Sequence, residues 1–278
     1  EKAENEVGMP DGSKYQGLGR ENQTSDDYAI PFLSILESNS AAVDDIADAK
    51  KGMIWNNATN EVWDAEGSEA PGVVFQPVYT EHCYIEWVPV DDGGGFVARH
   101  ELGSDVVAQA KKVCKEKRRD FNDLRWGDNE GHELVETYLM YGNVLTEDGE
   151  DVNCQAIVSF ASTRIKAYKK ANSLMSLKGN PPLFCFRLRI KTAPRNRGKQ
   201  NWFVFDVEPF SSSIKESIVT PEHPVFQAGF KFYGQLSSGA LKADMASAGK
   251  DREQAASRKD TEEDLSDDGS LDGAETPF

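Results

Sequence analysis

Apolar positions along this chain recur mostly with a period of two, in short runs broken by turn residues. The first compact run is Ile30-Pro31-Phe32-Leu33-Ser34-Ile35-Leu36. Met53-Ile54-Trp55 and Val62-Trp63 flank the Asn-rich stretch Asn56-Asn57-Ala58-Thr59-Asn60, which predicts a hairpin. Residues 73–79 and 83–90 predict two strands joined by a short polar turn. A loop at Asp91-Asp92-Gly93-Gly94-Gly95 precedes a further strand at 96–100. Residues 136–145 and 153–160 predict a pair around a turn at 146–151. Residues 183–192 and 201–207 predict another pair around the basic loop 193–200.

Three segments switch to a helical period. Over 104–121, Ser104 is placed as N-cap with Asp105 in the first turn, and Val106, Val107, Ala110, Val113 and Cys114 recur at helical spacing. Over 162–176, Ile165, Tyr168 and Leu174 point inward and Lys166, Lys169 and Lys170 outward. A last helix is expected to start at Thr220-Pro221-Glu222, with Phe226, Phe230 and Tyr233 as its buried stripe. Many short strands with a few helices predict a mainly β, α+β fold: an OB-like β-barrel with inserted helices.

The period is lost at both ends. Residues 1–27 read as a flexible N-terminal arm and 246–278 as a disordered acidic tail, leaving one domain over 28–245. No apolar run approaches the ~20 residues that span a bilayer, and no signal peptide is evident, so a cytoplasmic protein without a membrane partner is expected. The four cysteines, Cys83, Cys114, Cys154 and Cys185, form no C-x2-C pair, so neither a zinc site nor another cofactor is expected. Cys83, Cys154 and Cys185 lie in apolar strand-like runs and read as free thiols.

Charge changes this picture. The net charge is −16, which argues against nucleic acid, but its distribution argues for it. From Val152 to Phe205 there are eleven lysines and arginines and no Asp or Glu, so the other 224 residues sum to −27. Local charge, not the total, focuses a field on a ligand. Arg187, Arg189 and Lys191 alternate along one strand and share a face, with Leu188 and Ile190 turned to the core. Beside them lies the loop bearing Arg195, Arg197 and Lys199. With Arg164, Lys166, Lys169 and Lys170, and Lys111 and Lys112 of the first long helix, these side chains form a candidate phosphate-binding groove. Bases of a single strand need aromatic faces as well. Trp202 and Tyr168 are the candidate stackers, whereas Phe184 and Phe186 share the parity of Leu188 and belong to the core.

The last nineteen residues hold eight carboxylates, no lysine or arginine, and a terminal Thr276-Pro277-Phe278. A terminal aromatic with its free carboxylate suits capture by a partner's pocket. Asp267, Asp268, Asp272, Glu275, Pro277 and Phe278 are the candidate partner-binding residues. A flexible tail of about 32 residues, counted from Ser247, spans roughly 30 Å, enough to compete with nucleic acid for the groove.

This tail resembles those of bacterial and bacteriophage single-stranded DNA-binding proteins, in which the final Pro-Phe docks on replication and repair partners. The body is similar to a family of phage-encoded proteins. That similarity is carried by residues 29–36, Lys51-Gly52-Met53-Ile54-Trp55-Asn56, Ile85-Glu86-Trp87-Val88-Pro89 and residues 163–175. The resemblance implies an OB-type barrel. It also implies a protein that coats and protects single-stranded DNA in phage replication, recombination and repair, within the cytoplasm of the infected host. Its tail would recruit polymerase, primase-helicase or nuclease partners, and homo-oligomers are possible. The alternatives are a strand-annealing recombination mediator, a nuclease, or an acidic DNA mimic. No G-x-x-x-x-G-K-[ST], H-E-x-x-H or G-x-S-x-G motif occurs, and the four histidines are scattered, so no catalysis is expected.

Overall fold

The computed structural model describes residue 22 and residues 29–245, except 38–39, 41, 64–71, 178, 199 and 242. The expected N-terminal arm apart from residue 22, and the acidic tail, lie outside the described residues.

Ten strands form one sheet among the described residues. They are β1 (Phe32–Ile35), β2 (Ile54–Asn56), β3 (Val62–Trp63), β4 (Val73–Trp87), β5 (Phe96–Glu101), β6 (Leu124–Trp126), β7 (His132–Leu145), β8 (Val152–Ala161), β9 (Leu188–Arg197) and β10 (Gln200–Pro209). The order is β10-β9-β4-β7-β8-β1-β2-β3, with β5 beside the C-terminal half of β4 and β6 beside the start of β7. All pairs are antiparallel except β1 with β8. The helices are α1 (Ala42–Asp45), α2 (Asp105–Glu116), α3 (Ile165–Met175) and α4 (Pro224–Ser237). The fold is mainly β, as the alternation predicts.

The sheet curls into an OB-like half-barrel because its two ends are drawn together. Thr192 Oγ1 on β9 donates to Gly52 O at 2.5 Å, and Lys51 Nζ donates to Asn201 O at 3.0 Å. Gly52 has φ +92°, and its Cα faces the Phe203 ring so closely that a Cβ would stand 2.6 Å from it. Only glycine meets both conditions. Inside the curl, Phe75, Met140, Val158, Phe160, Phe186, Leu188 and Ile190 form the main core with Tyr168 and Met175 of α3.

The Asn-rich hairpin forms as predicted: Asn56 Oδ1 accepts from the Ala58 and Thr59 amides and fixes the turn between β2 and β3. Ser104 caps α2, its hydroxyl accepting from Val107 N. Three expectations need correction. The segments at 73–79 and 83–90 are one fifteen-residue strand, with no turn at Thr80-Glu81-His82. This polar run stays in the ladder because β7 supplies partners for it. Glu81 accepts from Tyr141 Oη, and His82 bonds Glu136 and stacks on Tyr138. The basic loop 193–200 is largely ladder as well: β9 and β10 pair out to Arg197 and Gln200, leaving a tight turn.

The third correction is the phase of α4. Its N-cap is His223, with Pro224 at the first helical position, and its buried stripe is Val225, Gly229, Phe232 and Leu236. Phe230 and Tyr233 are 58% and 40% exposed. Both sets of residues satisfy a helical period, so periodicity cannot choose between them. A buried amide decides. Gln76 Nε2 donates to Phe184 O (2.6 Å) and Val225 O (2.8 Å), while Gln76 Oε1 accepts from Asn143 (2.7 Å). Satisfying that amide pulls α4 against β4 at Gly229, where a Cβ would lie 2.6 Å from Gln76 Nε2.

Candidate nucleic-acid interface

The cations nominated by sequence separate into two groups. On β9 they are neutralised. In the antiparallel register Arg189 stands opposite Glu208 and Lys191 opposite Asp206, so the two acids just beyond the acid-free stretch fold back onto its strand. Lys191 Nζ pairs with Glu208 at 2.7 Å, and Arg189 pairs with Glu147 from the β7–β8 turn at 2.8 Å. Arg187 is buried: it pairs with Glu150 (3.1 Å), donates to Gly149 O (3.2 Å) and lies 4.8 Å over the Phe210 ring. Leu188 and Ile190 are fully buried on the other face, as parity predicts. Phe184 and Phe186 are buried too, but the expected strand over 183–192 opens as a 3-10 turn at Leu183–Cys185, so the burial of Phe184 does not come from strand alternation. The shared face of Arg187, Arg189 and Lys191 is therefore a set of ion pairs and not an open phosphate track.

The second group surrounds α3. A short 3-10 turn, Ser162–Arg164, leads into the helix. Ala167, Tyr168, Ala171 and Met175 are buried, and Lys166 and Lys169 are exposed with no ion pair among the described residues. Lys170 pairs with Asp206 at 2.7 Å. Arg164 pairs with Glu37 at 3.3 Å and lies 5.7 Å over the Phe205 ring. Arg195 is exposed and stands directly opposite Trp202 in the β9–β10 register, so the two share a face of the hairpin. Lys199 and the side chain of Arg197 lie outside the described residues.

Of the two stackers, Tyr168 is committed to the core. Its ring stacks on Tyr138 at 4.4 Å, and Tyr138 stacks on His82. Burial removes its face from any base. Its place on the helix face beside Ala167 and Ala171 signals this, as the inward position read from the period already implies. Trp202 is half-buried and lines a cavity.

That cavity, about 580 Å³ in volume, is the feature that reading the sequence missed. It opens at the end of the curled sheet where β1, β4 and β8 finish and β7 begins. Trp202 and Phe203 of the hairpin and the turn Ser162-Thr163-Arg164 form the adjoining wall. Its apolar walls are Phe32, Ile35, Ile85, Trp87, Leu134 and Met245. Its charged groups are Glu37, Asp123, Glu133 and Arg164. Asp123 and Glu133 share Arg125, at 2.7 and 3.7 Å. Burial pushes the Glu37 carboxyl above its ordinary pKa, only partly offset by Arg164 and Lys51. The indole Nε1 of Trp202 is shut off from solvent and meets no acceptor among the described residues. No single motif marks the cavity in the sequence, because its wall comes from seven separate segments.

The remaining candidates are dispersed. Lys111 lies 4.9 Å over the Tyr84 ring and Lys112 is exposed. Both stand on α2, which packs on Leu124 and Leu134 of the cavity wall. Asp267, Asp268, Asp272, Glu275, Pro277 and Phe278 lie outside the described residues. The four thiols are free, Cys154 half-buried and the others buried. Among the described residues no cluster of His, Cys, Asp and Glu is arranged to hold a metal ion, and no helix is long and apolar enough to cross a membrane.

A family model described as Pam3 phage gp34-like protein matches residues 2–242, most of the chain. No curated protein and no solved structure matches it.

Proposed function

From the premise that this chain belongs to the Pam3 phage gp34-like family, we propose that it is a phage-encoded single-stranded DNA-binding protein. It coats and protects single strands during phage replication, recombination and repair in the infected host cell. One observation carries the reading: cations with no ion pair among the described residues stand on the helix that follows one wall, and on the hairpin that carries another, of an aromatic-lined concavity. Lys166 and Lys169 on α3 and Arg195 on the hairpin are exposed, while Trp202, opposite Arg195, lines the cavity. Single-stranded DNA needs this combination, cations along its phosphates and rings against its bases.

The cavity's own charge fits the same division. Glu37, Asp123 and Glu133, against Arg164 and the Arg125 that two of them share, leave the wall net acidic, which disfavours phosphate there and admits a base. The phosphates then run outside, over α3 and the hairpin. The reading requires neither metal nor catalysis. Asp267, Asp268, Asp272, Glu275, Pro277 and Phe278 recruit replication and recombination proteins, and between encounters the acidic tail competes with DNA for the cations.

The test is fluorescence anisotropy of a labelled single strand of ~30 nucleotides over a salt series, with a duplex as control. The expected result is single-strand preference with affinity falling steeply as salt rises. If about five phosphates are neutralised, the slope of log affinity against log salt is about −3.5. A flat salt response, or equal binding to duplex, overturns the reading.

A further inference from the structure

We propose that the cavity beside Trp202 is a nucleobase pocket that favours bases bearing an exocyclic amine, cytosine, adenine and guanine, over thymine. The inference rests on the single-strand reading and adds what that reading leaves open, the base chemistry of the site.

The cavity's size and wall fit a base. About 580 Å³ is ample for a base with its sugar, and the half-buried Trp202 and Phe203 supply flat apolar surface. Its polar groups then set the preference. Glu37, Asp123 and Glu133 are acceptors when ionised, and a carboxylate accepts from the amine of cytosine or adenine. Thymine turns two carbonyl oxygens toward such a wall and offers a single ring N–H, so it meets repulsion where cytosine meets an acceptor. The donors suit the complementary edge. The Trp202 indole N–H is buried without an acceptor among the described residues, and such a group costs stability until a ligand atom satisfies it. Arg164 is held by Glu37 and by the face of Phe205, so its guanidinium is fixed at the wall before a ligand arrives. A ring nitrogen or carbonyl of cytosine supplies the missing acceptor.

Glu37, beside Arg164 on the cavity wall, gives the pocket its adjustable element. Burial works against its negative charge, and an incoming amine offsets that by donating to it. The other two acids already share Arg125, which leaves Glu37 the group most changed by a base.

The experiment separates the base from the phosphate. The full chain is titrated with deoxycytidine and with thymidine, neither of which carries phosphate, following tryptophan fluorescence. In parallel, oligo-dC and oligo-dT of equal length are compared by anisotropy. Deoxycytidine is expected to quench saturably, with thymidine about tenfold weaker. Glu37→Gln should bring the two nucleosides together, because the charged acceptor is gone while the shape remains. Trp202→Leu should abolish the response, with circular dichroism and the melting temperature confirming that each variant is folded. Equal responses to both nucleosides, or discrimination that survives Glu37→Gln, overturn the pocket. If oligonucleotides bind with a salt slope and no nucleoside does, the pocket falls and the single-strand reading stands. If nucleosides discriminate and no oligonucleotide binds, the pocket stands and strand coating falls. Silence in both assays overturns both.

Discussion

Arg189 and Lys191 on β9, and Lys166 and Lys169 on α3, come from the same acid-free stretch of chain, yet the fold treats them oppositely. The β9 pair meets Glu147 and Glu208, brought in by the β7–β8 turn and by the returning strand. The α3 pair faces outward and meets no acid among the described residues. The difference lies in what each element must sit beside. A strand in a sheet has a neighbour on either side, and its cross-strand partners are fixed by register. The outer face of a surface helix has none. A run of like charge in sequence is therefore a patch only where the architecture leaves it unpaired.

The sharpest way to break this contrast is to change one group at a time. Reversing Lys166, Lys169 and Arg195 to Glu should lower single-strand affinity by about 100-fold at low salt and shrink the log–log salt slope by about 2. Neutralising Arg189 and Lys191 to Gln should leave that slope unchanged. If the β9 variant loses as much as the α3 variant, the phosphate path runs over β9 and the contrast is wrong.

Stability should answer in reverse. Arg187→Ala should cost about 2 kcal/mol in urea denaturation, because it takes a donor from Gly149 O, removes a buried side chain and uncovers Phe210, while Glu150 keeps His223. Lys166→Ala should fall within about 0.5 kcal/mol of the parent. Comparable losses would mean that both sets are structural.

Removing residues 260–278 asks whether the unpaired cations are accessible to the tail. Binding should tighten at low salt, and the gain should vanish at high salt, as screening of charge requires. Weaker binding after deletion would contradict the competition.

The smallest expected effect is at Glu37. Its folded pKa is raised, so the folded chain holds this proton more tightly than the unfolded chain. Glu37 therefore withdraws stability as pH rises from the ordinary carboxylate pKa through the raised one. Relative to Glu37→Gln, the parent should lose stability across that window and nowhere else. A constant difference between the two from pH 4 to 8 would remove the burial effect.

Legibility in the sequence followed the range of the interaction. The hairpin at Asn56, the Ser104 cap and the inward parity of Leu188 and Ile190 were readable because each depends on residues a few positions away. The continuity of β4 through Thr80-Glu81-His82 was not, since its partners lie some sixty residues on in β7. Two phases of α4 fit one period, and a glutamine on β4 chose between them. Arg195 and Trp202 could be nominated from their types, but only the hairpin register sets them opposite each other.

By itself, then, the sequence determined the alternation of strands, the start of α2, the mainly β class and the division of charge between a basic body segment and an acidic tail. These are properties of neighbouring residues and of composition. The tertiary structure alone decided which cations remain unpaired among the described residues, that α4 buries Val225 and Phe232 rather than Phe230 and Tyr233, and that seven separate segments line one cavity. Each of those outcomes depends on groups distant in sequence, whose positions are set only when the sheet curls and its two ends meet at Gly52 and Thr192.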